Sequence, residues 1–332
     1  MLQLRTRLAL ILAALTLVMV IGRAADAQEA SPVSGGSGLE GAVAWLLTQQ
    51  TDDGGFIGFT GESDAGFTLD AIMALTAAQH QGVESGDAVQ RAVEFLGTGD
   101  TALVFAQTGV GQSAKLILGL VAAGIDPEGF ANVMPLSIIE KGQNTETGIY
   151  GSGPYDHAYA LLALSVLDQE IPESAFIALG NTQAENGGWS WDGSLDLTAT
   201  DSNTTSMVIQ ALVATGHADD DIASNAFTYL TSLETREGGL YNDVEGTTPD
   251  ANSTALIMQA YLALGEETAN IEATLLTFQT TSGALRYQEV DAADNAIATV
   301  QAIAPLAHQA LPIQPVSAGT ATPATVRFLD AA

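Results

Sequence analysis

DAGFTLDAIMAL (residues 64–75), DSNTTSMVIQAL (201–212) and DANSTALIMQAY (250–261) are one phrase written three times. Weaker copies begin at Gly109 (GVGQSAKLILGL), Gly153 (GPYDHAYALLAL) and Ala292 (AADNAIATVQAI). Starts at 64, 109, 153, 201, 250 and 292 are separated by 45, 44, 48, 49 and 42 residues. A near-constant step of that size marks stacked supersecondary units, each unable to bury its own apolar surface alone.

The quoted phrase predicts the second helix of each unit. Asp or Gly opens it, a hydroxyl often stands at its fifth position (Thr68, Ser113, Thr205, Thr254), and an apolar run follows. Apolar residues cover nearly all its faces, so this helix is expected to be covered on both sides. Gly124, Gly216 and Gly265 stand where a helix ends in the left-handed conformation. The first helix of each unit is more amphipathic, as in AVAWLLTQQ (42–50), DAVQRAVEFL (87–96) and IEATLLTFQ (271–279). A second signature follows it. Gln50, Asn144, Gln183, Glu234 and Gln279 stand six residues before Phe56, Tyr150, Trp189, Leu240 and Leu285. The pairs Gly54-Gly55, Gly187-Gly188 and Gly238-Gly239 supply the tight turn between them. These apolar residues read as staples onto the neighbouring unit, with the amides capping backbone groups.

Six such units make twelve helices. An open solenoid needs polar capping repeats at its ends, yet the first unit is as apolar as the middle ones. The expected fold is therefore all-α, an (α/α)6 toroid with six inner helices inside six outer ones. Unit two, eroded around Gly97–Gly109, is where an irregular helix is expected.

The ends of the chain read differently. Arg5 and Arg7 precede an apolar run from Leu8 to Ile21, and Ala25-Asp26-Ala27 follows, the pattern of a signal peptide over 1–27. A retained anchor is the alternative, although the run is shorter than the ~20 residues that cross a bilayer. Residues 28–37 read as a flexible linker, 38–309 as the toroid and 310–332 as a Pro/Thr/Ala-rich tail, with one extended segment at Thr325–Leu329. The chain is thus expected to be secreted or held at the cell surface, with no membrane span once the signal is removed. There is no cysteine, which excludes disulfides and thiolate-held zinc. A net charge of -30 repels nucleic acid and phosphorylated ligands. Beyond residue 27 the basic side chains are Arg91, Lys115, Lys141, Arg236, Arg286 and Arg327, too few for a phosphate pocket. No cofactor and no metal is expected.

Parallel inner helices bring their N-termini, and the acids Asp64, Asp201, Asp250, Asp156 and Asp294, to one mouth. Asp at that position is normally a helix cap. The alternative is that some of these acids bind a ligand. Departures between units are the better guide, because a scaffold predicts sameness. Unit three carries Tyr155-Asp156-His157, a candidate acid–base pair set against a hydrogen-bonded structural histidine. Unit four carries Trp189-Ser190-Trp191-Asp192, in which Trp191 is additional to the staple and suits a flat wall for a sugar, ring or lipid. Tyr241 follows its staple similarly. Candidate ligand-binding residues are therefore Asp201, Asp250, Asp64, Trp191, Tyr155 and Tyr241; the weak catalytic candidates are Asp156, His157 and Asp201. Asp156 with Asp201 is also the carboxylate pair a glycosidase-like mechanism requires. Asp219-Asp220-Asp221 reads as a solvated helix start.

The Gln-x-x-x-Gly-Gly-Phe/Trp turns followed by Asp-x-Asn-x-Thr-Ala helices resemble the prenyltransferase and squalene-cyclase repeat family, an α/α toroid, across about 38–309. The resemblance is strongest in units one, four and five. It implies the fold more firmly than the function, because terpene cyclases, protein prenyltransferase β-subunits and vitamin B12 carriers share the ring. The cyclases protonate an alkene with the middle acid of Asp-x-Asp-Asp-Thr-Ala. Here the matching residues are Asp201-Ser202-Asn203-Thr204-Thr205-Ser206 and Asp250-Ala251-Asn252-Ser253-Thr254-Ala255, so only the first acid remains in each. Prenyltransferases need a zinc site with cysteine and a basic diphosphate cluster, both missing from this sequence. The expectation is a non-catalytic toroid that binds a small uncharged or cationic molecule, or a cell-surface protein, at an acidic mouth. The alternative is an enzyme of the cyclase type acting on an apolar isoprenoid.

Overall fold

A computed structural model describes residues 38–58, 60–235, 241 and 248–316. The signal peptide, the linker, Thr325–Leu329, Gly238-Gly239 and the Leu240 staple lie outside the described residues. In chain order the α-helices are α1 (Leu39–Leu47), α2 (Ala65–Gln79), α3 (Ala88–Gly97), α4 (Thr101–Ala106), α5 (Val110–Ala122), α6 (Pro135–Lys141), α7 (Pro154–Val166), α8 (Glu173–Thr182), α9 (Ser202–Ala214), α10 (Asp221–Ser232), α11 (Ala251–Leu264), α12 (Ala269–Leu275) and α13 (Ala296–Leu306). Extended pairing among the described residues is limited to isolated bridges. None of these helices is long and apolar enough to cross a membrane.

The quoted phrase forms α2, α5, α7, α9, α11 and α13. Each packs on the next in that order, and α13 packs back on α2, closing the ring. The remaining helices lie outside it: α10 packs on α9, α12 on α11, α3 on α2 and α1 on α13. An outer helix thus covers the inner helix of the unit before it. The inner helices run parallel, because residues of equal depth meet. Lys115 and Asp70, each six past its helix-opening residue, form an ion pair at 2.7 Å. Such a helix is buried all round because its small residues admit neighbours closely: a Cβ on Gly119 would stand 2.5 Å from Leu69 Cδ2. The extra short helix α4 fills the eroded stretch of unit two.

Two repeated latches explain the signatures. In units one, four, five and six the fifth-position hydroxyl accepts the staple's backbone N–H, and in units four, five and six it also donates to the carbonyl of the helix-opening residue; Ser113 of unit two donates instead to Pro135 O. Phe56 N donates to Thr68 Oγ1 at 2.9 Å, Trp189 N to Thr205 Oγ1 at 3.0 Å, Tyr241 N to Thr254 Oγ1 at 3.2 Å and Leu285 N to Thr299 Oγ1 at 2.8 Å. The staple's backbone N–H is thereby satisfied in the core by a side chain, while the opening residue's carbonyl also accepts the intrahelical N–H four residues on. The glutamine amide forms the second latch, across units. Gln50 Nε2 reaches Ala88 O at 2.8 Å, Gln183 Nε2 reaches Ile222 O at 2.9 Å and Gln279 Nε2 reaches Gly38 O at 2.8 Å. The last of these ties unit six to unit one. Beside each latch a left-handed glycine (Gly54, Gly187, Gly283) abuts the same outer helix; a Cβ on Gly283 (φ 95°) would stand 2.4 Å from Gly41 O.

Three details correct the sequence reading. Unit six opens at Asn295, which caps α13 through Ala298 N, whereas Asp294 lies outside the helix and accepts from Trp45, Thr280 and Ser282. In units three and five the bridges join Gln143 to Tyr150 and Glu234 to Tyr241, one residue longer than the six-residue spacing. The tail begins later than 310, because Leu311 and Ile313 close the far end of the ring; Leu311 N donates to Gln210 Oε1 at 2.9 Å and Ile313 is buried.

Candidate functional site

The first turns of α7 and α9 stand side by side at the ring's N-terminal rim. Between them lies a cleft of about 530 Å3, lined by Tyr155 and Asp156 from α7, Trp191 and Ala199 from the loop before α9, and Asp201, Asn203 and Thr204 at its start. The sequence candidates Tyr155, Asp156, Trp191 and Asp201 therefore converge in one place. The loop carrying Trp191 is pinned at its base by Asp201 N donating to Trp189 O at 3.0 Å. It lies so close over Gly153 that a Cβ there would stand 2.3 Å from Trp191 O. Trp191 itself keeps 63% of its surface exposed, which for the largest side chain is an unburied apolar plane.

Both carboxylates also hold local structure. Asp201 accepts Thr204 N at 2.6 Å and Thr204 Oγ1 at 2.9 Å, closing the first turn of α9. Asp156, in the first turn of α7, accepts Ser152 Oγ at 2.6 Å and Ser152 N at 3.0 Å. Helix N-terminal dipoles favour negative charge at both positions. Asn203 Oδ1 is buried in the cleft lining without a hydrogen-bond partner.

The other candidates lie elsewhere. Asp64 and Asp250 cap α2 and α11, accepting Phe67 N at 2.7 Å and Ser253 N at 2.8 Å, and neither lines the cleft. Tyr241, expected to be exposed at the mouth, is the buried staple of unit five, with 2% of its surface accessible. His157 is no acid–base partner for Asp156. It occupies the hydroxyl position of unit three, where its Nδ1 accepts Tyr150 N at 2.9 Å and its Nε2 faces Ala175 O at 3.1 Å. That arrangement fixes the Nε2-protonated tautomer, and burial depresses its pKa to about 4.

Sequence reading missed the lumen residues. Below the cleft, Tyr155 also borders the ring's interior, where Asp70, Tyr159, Met207, Leu256 and Gln301 stand at the same depth on their helices. Lys115 joins them through its ion pair with Asp70. Both partners keep about a fifth of their side-chain surface accessible (19% and 24%), so water in the lumen touches them although protein surrounds them. Burial raises the Asp70 carboxyl against the opposing pull of Lys115. The Tyr155 hydroxyl is raised well above its ordinary value, chiefly by Tyr159 beside it and then by burial. A charge interrupting the same register of two consecutive apolar helices was the available signal. Side chains leave only about 60 Å3 free in the lumen, with Leu311 and Ile313 closing it. Ligand sites for drug-sized molecules run to roughly 300 Å3 and above.

No protein-family model matches the sequence, and no curated protein matches it. Solved structures do match in fold. The type II terpene cyclase MstE from Scytonema aligns at TM-score 0.56 and 17% identity over 81% of this chain and 96% of that one. An inactive variant of the α-1,6-mannanase GH76A from a Salegentibacter species, in complex with α-1,6-mannotriose, aligns at 0.59 and 12% over 82% and 98%. Haptocorrin in complex with Cbi aligns at 0.56 and 15% over 86% and 70%. At these identities the likeness establishes the α/α toroid fold alone.

Proposed function

We propose that this chain is an exported, non-catalytic member of the prenyltransferase and squalene-cyclase repeat family that binds a small uncharged or cationic molecule in the cleft between α7 and α9. The observation that carries the reading is the meeting of an exposed Trp191 plane, two carboxylates and an unpartnered amide oxygen around one space of about 530 Å3, with no basic side chain among the described residues of its lining. An indole face with a few convergent polar groups is the usual make-up of a small-molecule site. Against catalysis of the cyclase type, the two positions that would supply the middle acids are Asn203 and Thr204, and the filled lumen has no room for an isoprenoid chain. Asp156 and Asp201 are both engaged in closing helix starts, and His157 is committed to the backbone.

Native mass spectrometry of the protein recovered from the exporting cell tests this. The expected result is a bound small molecule that the Trp191→Ala variant has lost. Retention of that molecule by the variant would rule the cleft out. Leu195 and Leu197, 57% and 49% exposed on the Trp191 loop, support a second reading, in which a cell-surface protein docks on this loop. An empty wild-type protein, with a partner captured through this loop by cross-linking, would favour it.

A further inference from the structure

The lumen carries a feature of its own, apart from the cleft and independent of what the cleft binds. Gln210 and Gln259 stand at one depth on α9 and α11, each nine residues past the Asp that opens its phrase. Both are buried. Gln210 is satisfied within the protein: its Oε1 accepts Leu311 N at 2.9 Å and its Nε2 donates to Ser206 O at 3.3 Å. Gln259, 4% exposed, has no hydrogen-bond partner among the described residues, and it borders the space of about 60 Å3 on the ring's axis. A buried polar group left unpaired costs about 1–3 kcal/mol, so this amide calls for a partner held in that space.

Other polar groups border the same space. Gln301 Oε1 accepts Asn252 Nδ2 at 2.7 Å, and its own Nε2 donates to none of the described residues. Asp70 accepts Lys115 Nζ through Oδ2 at 2.7 Å, which leaves Oδ1 as an acceptor. Burial holds the Tyr159 hydroxyl protonated, able both to donate and to accept. Donors and acceptors are therefore offered together. The Lys115–Asp70 pair leaves no net charge among the described residues around the space. A cation would give up its hydration to meet Lys115, and an anion to meet Asp70. An apolar occupant would leave Gln259 unpaired. One water takes up about 30 Å3 of the liquid, so the space suits about two waters or one solute of roughly two or three heavy atoms. We infer that the lumen is a closed binding chamber for a small neutral molecule that both donates and accepts hydrogen bonds, held by Gln259, Gln301 and Asp70.

Two sources supply that chemistry, water and a short neutral amide or alcohol, and diffraction from crystals of the full chain separates them. The crystals are grown without small amides or alcohols, and some are then soaked in formamide. The expected result in the unsoaked crystals is density within hydrogen-bond distance of both the Gln259 amide and Gln301 Nε2. One formamide replacing that density after the soak assigns the chamber to a small solute; two waters unchanged by the soak assign it to water. A lumen without density at Gln259, or a Gln259 amide turned onto a protein partner, overturns the inference. Oxygen-17 relaxation dispersion of water reads the same site in solution. Gln259→Leu removes the amide at similar size and should lower the number of long-lived waters by about two; a number equal to that of the wild type overturns the inference as well. Should that variant fail to fold, the wild-type diffraction decides alone.

Discussion

Acidification should unfold this protein partly through one residue, His157, and replacing it with threonine should remove that sensitivity. The ring is wholly buried, stacked on Tyr150 with centroids 5.5 Å apart, and both its nitrogens are engaged by backbone groups. Protonation at Nδ1 would set an N–H against the Tyr150 N–H, so the native state resists it, and the pKa falls to about 4. An unfolded histidine titrates near 6.5. Between those values the unfolded chain holds a proton that the folded chain does not, and stability therefore falls as pH falls. It is fully present above about pH 6.5 and drops by up to ~1.4 kcal/mol per pH unit below, for a loss of roughly 3 kcal/mol by pH 4. Threonine is the residue units one, four, five and six use at this position. His157→Thr will cost about 2–4 kcal/mol at pH 7.5 through the space it leaves, but its stability should vary little from pH 6.5 to 4.5. Urea unfolding of both proteins at several pH values gives the slopes. His80, His217 and His308 are common to both and cancel in the difference. Parallel pH profiles would refute the structural assignment of His157.

Two further substitutions probe the ring. Gln279→Ala removes the amide that donates to Gly38 O and Gly283 O and accepts Gly38 N, so at about 1 kcal/mol for each bond it should cost ~2–3 kcal/mol and leave residues around Gly38 open to proteolysis; a loss under ~0.5 kcal/mol would show that this latch does not hold the ring shut. Lys115→Met strands the Asp70 carboxylate in the lumen and should destabilise by about 3 kcal/mol at pH 7. Because burial already raises Asp70, part of that loss should return as pH is lowered and the carboxyl protonates, and Asp70→Leu combined with Lys115→Met should unfold within ~1 kcal/mol of the wild type in urea.

The ring was legible because its two latches are written in residue types with one job each. A hydroxyl four places into an apolar helix and a glutamine before a glycine turn recur for backbone reasons, and backbone geometry repeats from unit to unit. Where a unit solves the same problem with another side chain, the pattern misleads. His157 departs from the threonine rule and looked like chemistry, yet it accepts the same staple N–H that threonine accepts. Tyr241 looked additional because its turn, like that of unit three, is one residue longer than the six-residue spacing, and that extra residue moves the staple from Leu240 to Tyr241. In neither case does the sequence alone tell a substitution that preserves a contact from one that creates a site.

Departure from the repeat becomes evidence of a site only where the departing group is left over once the backbone is satisfied. Trp191 meets that condition: Trp189 fills the staple position and gives its indole N–H to Leu179 O at 3.0 Å, so Trp191 has no packing task and stays 63% exposed. Asn203 meets it as well, since Asp201 and Thr205 already serve the start of α9 and Asn203 Oδ1 is left without a partner. Asp250 and Asp64 do not, because their carboxylates sit on the helix starts that the repeat assigns to them. Asp70 and Lys115 are left over in another sense, spending charge on each other inside a lumen that side chains and Ile313 fill. Apart from the small space beside Gln259, the interior of this ring is thus occupied by its own residues, and the groups that depart from the repeat gather at the rim, between α7 and α9.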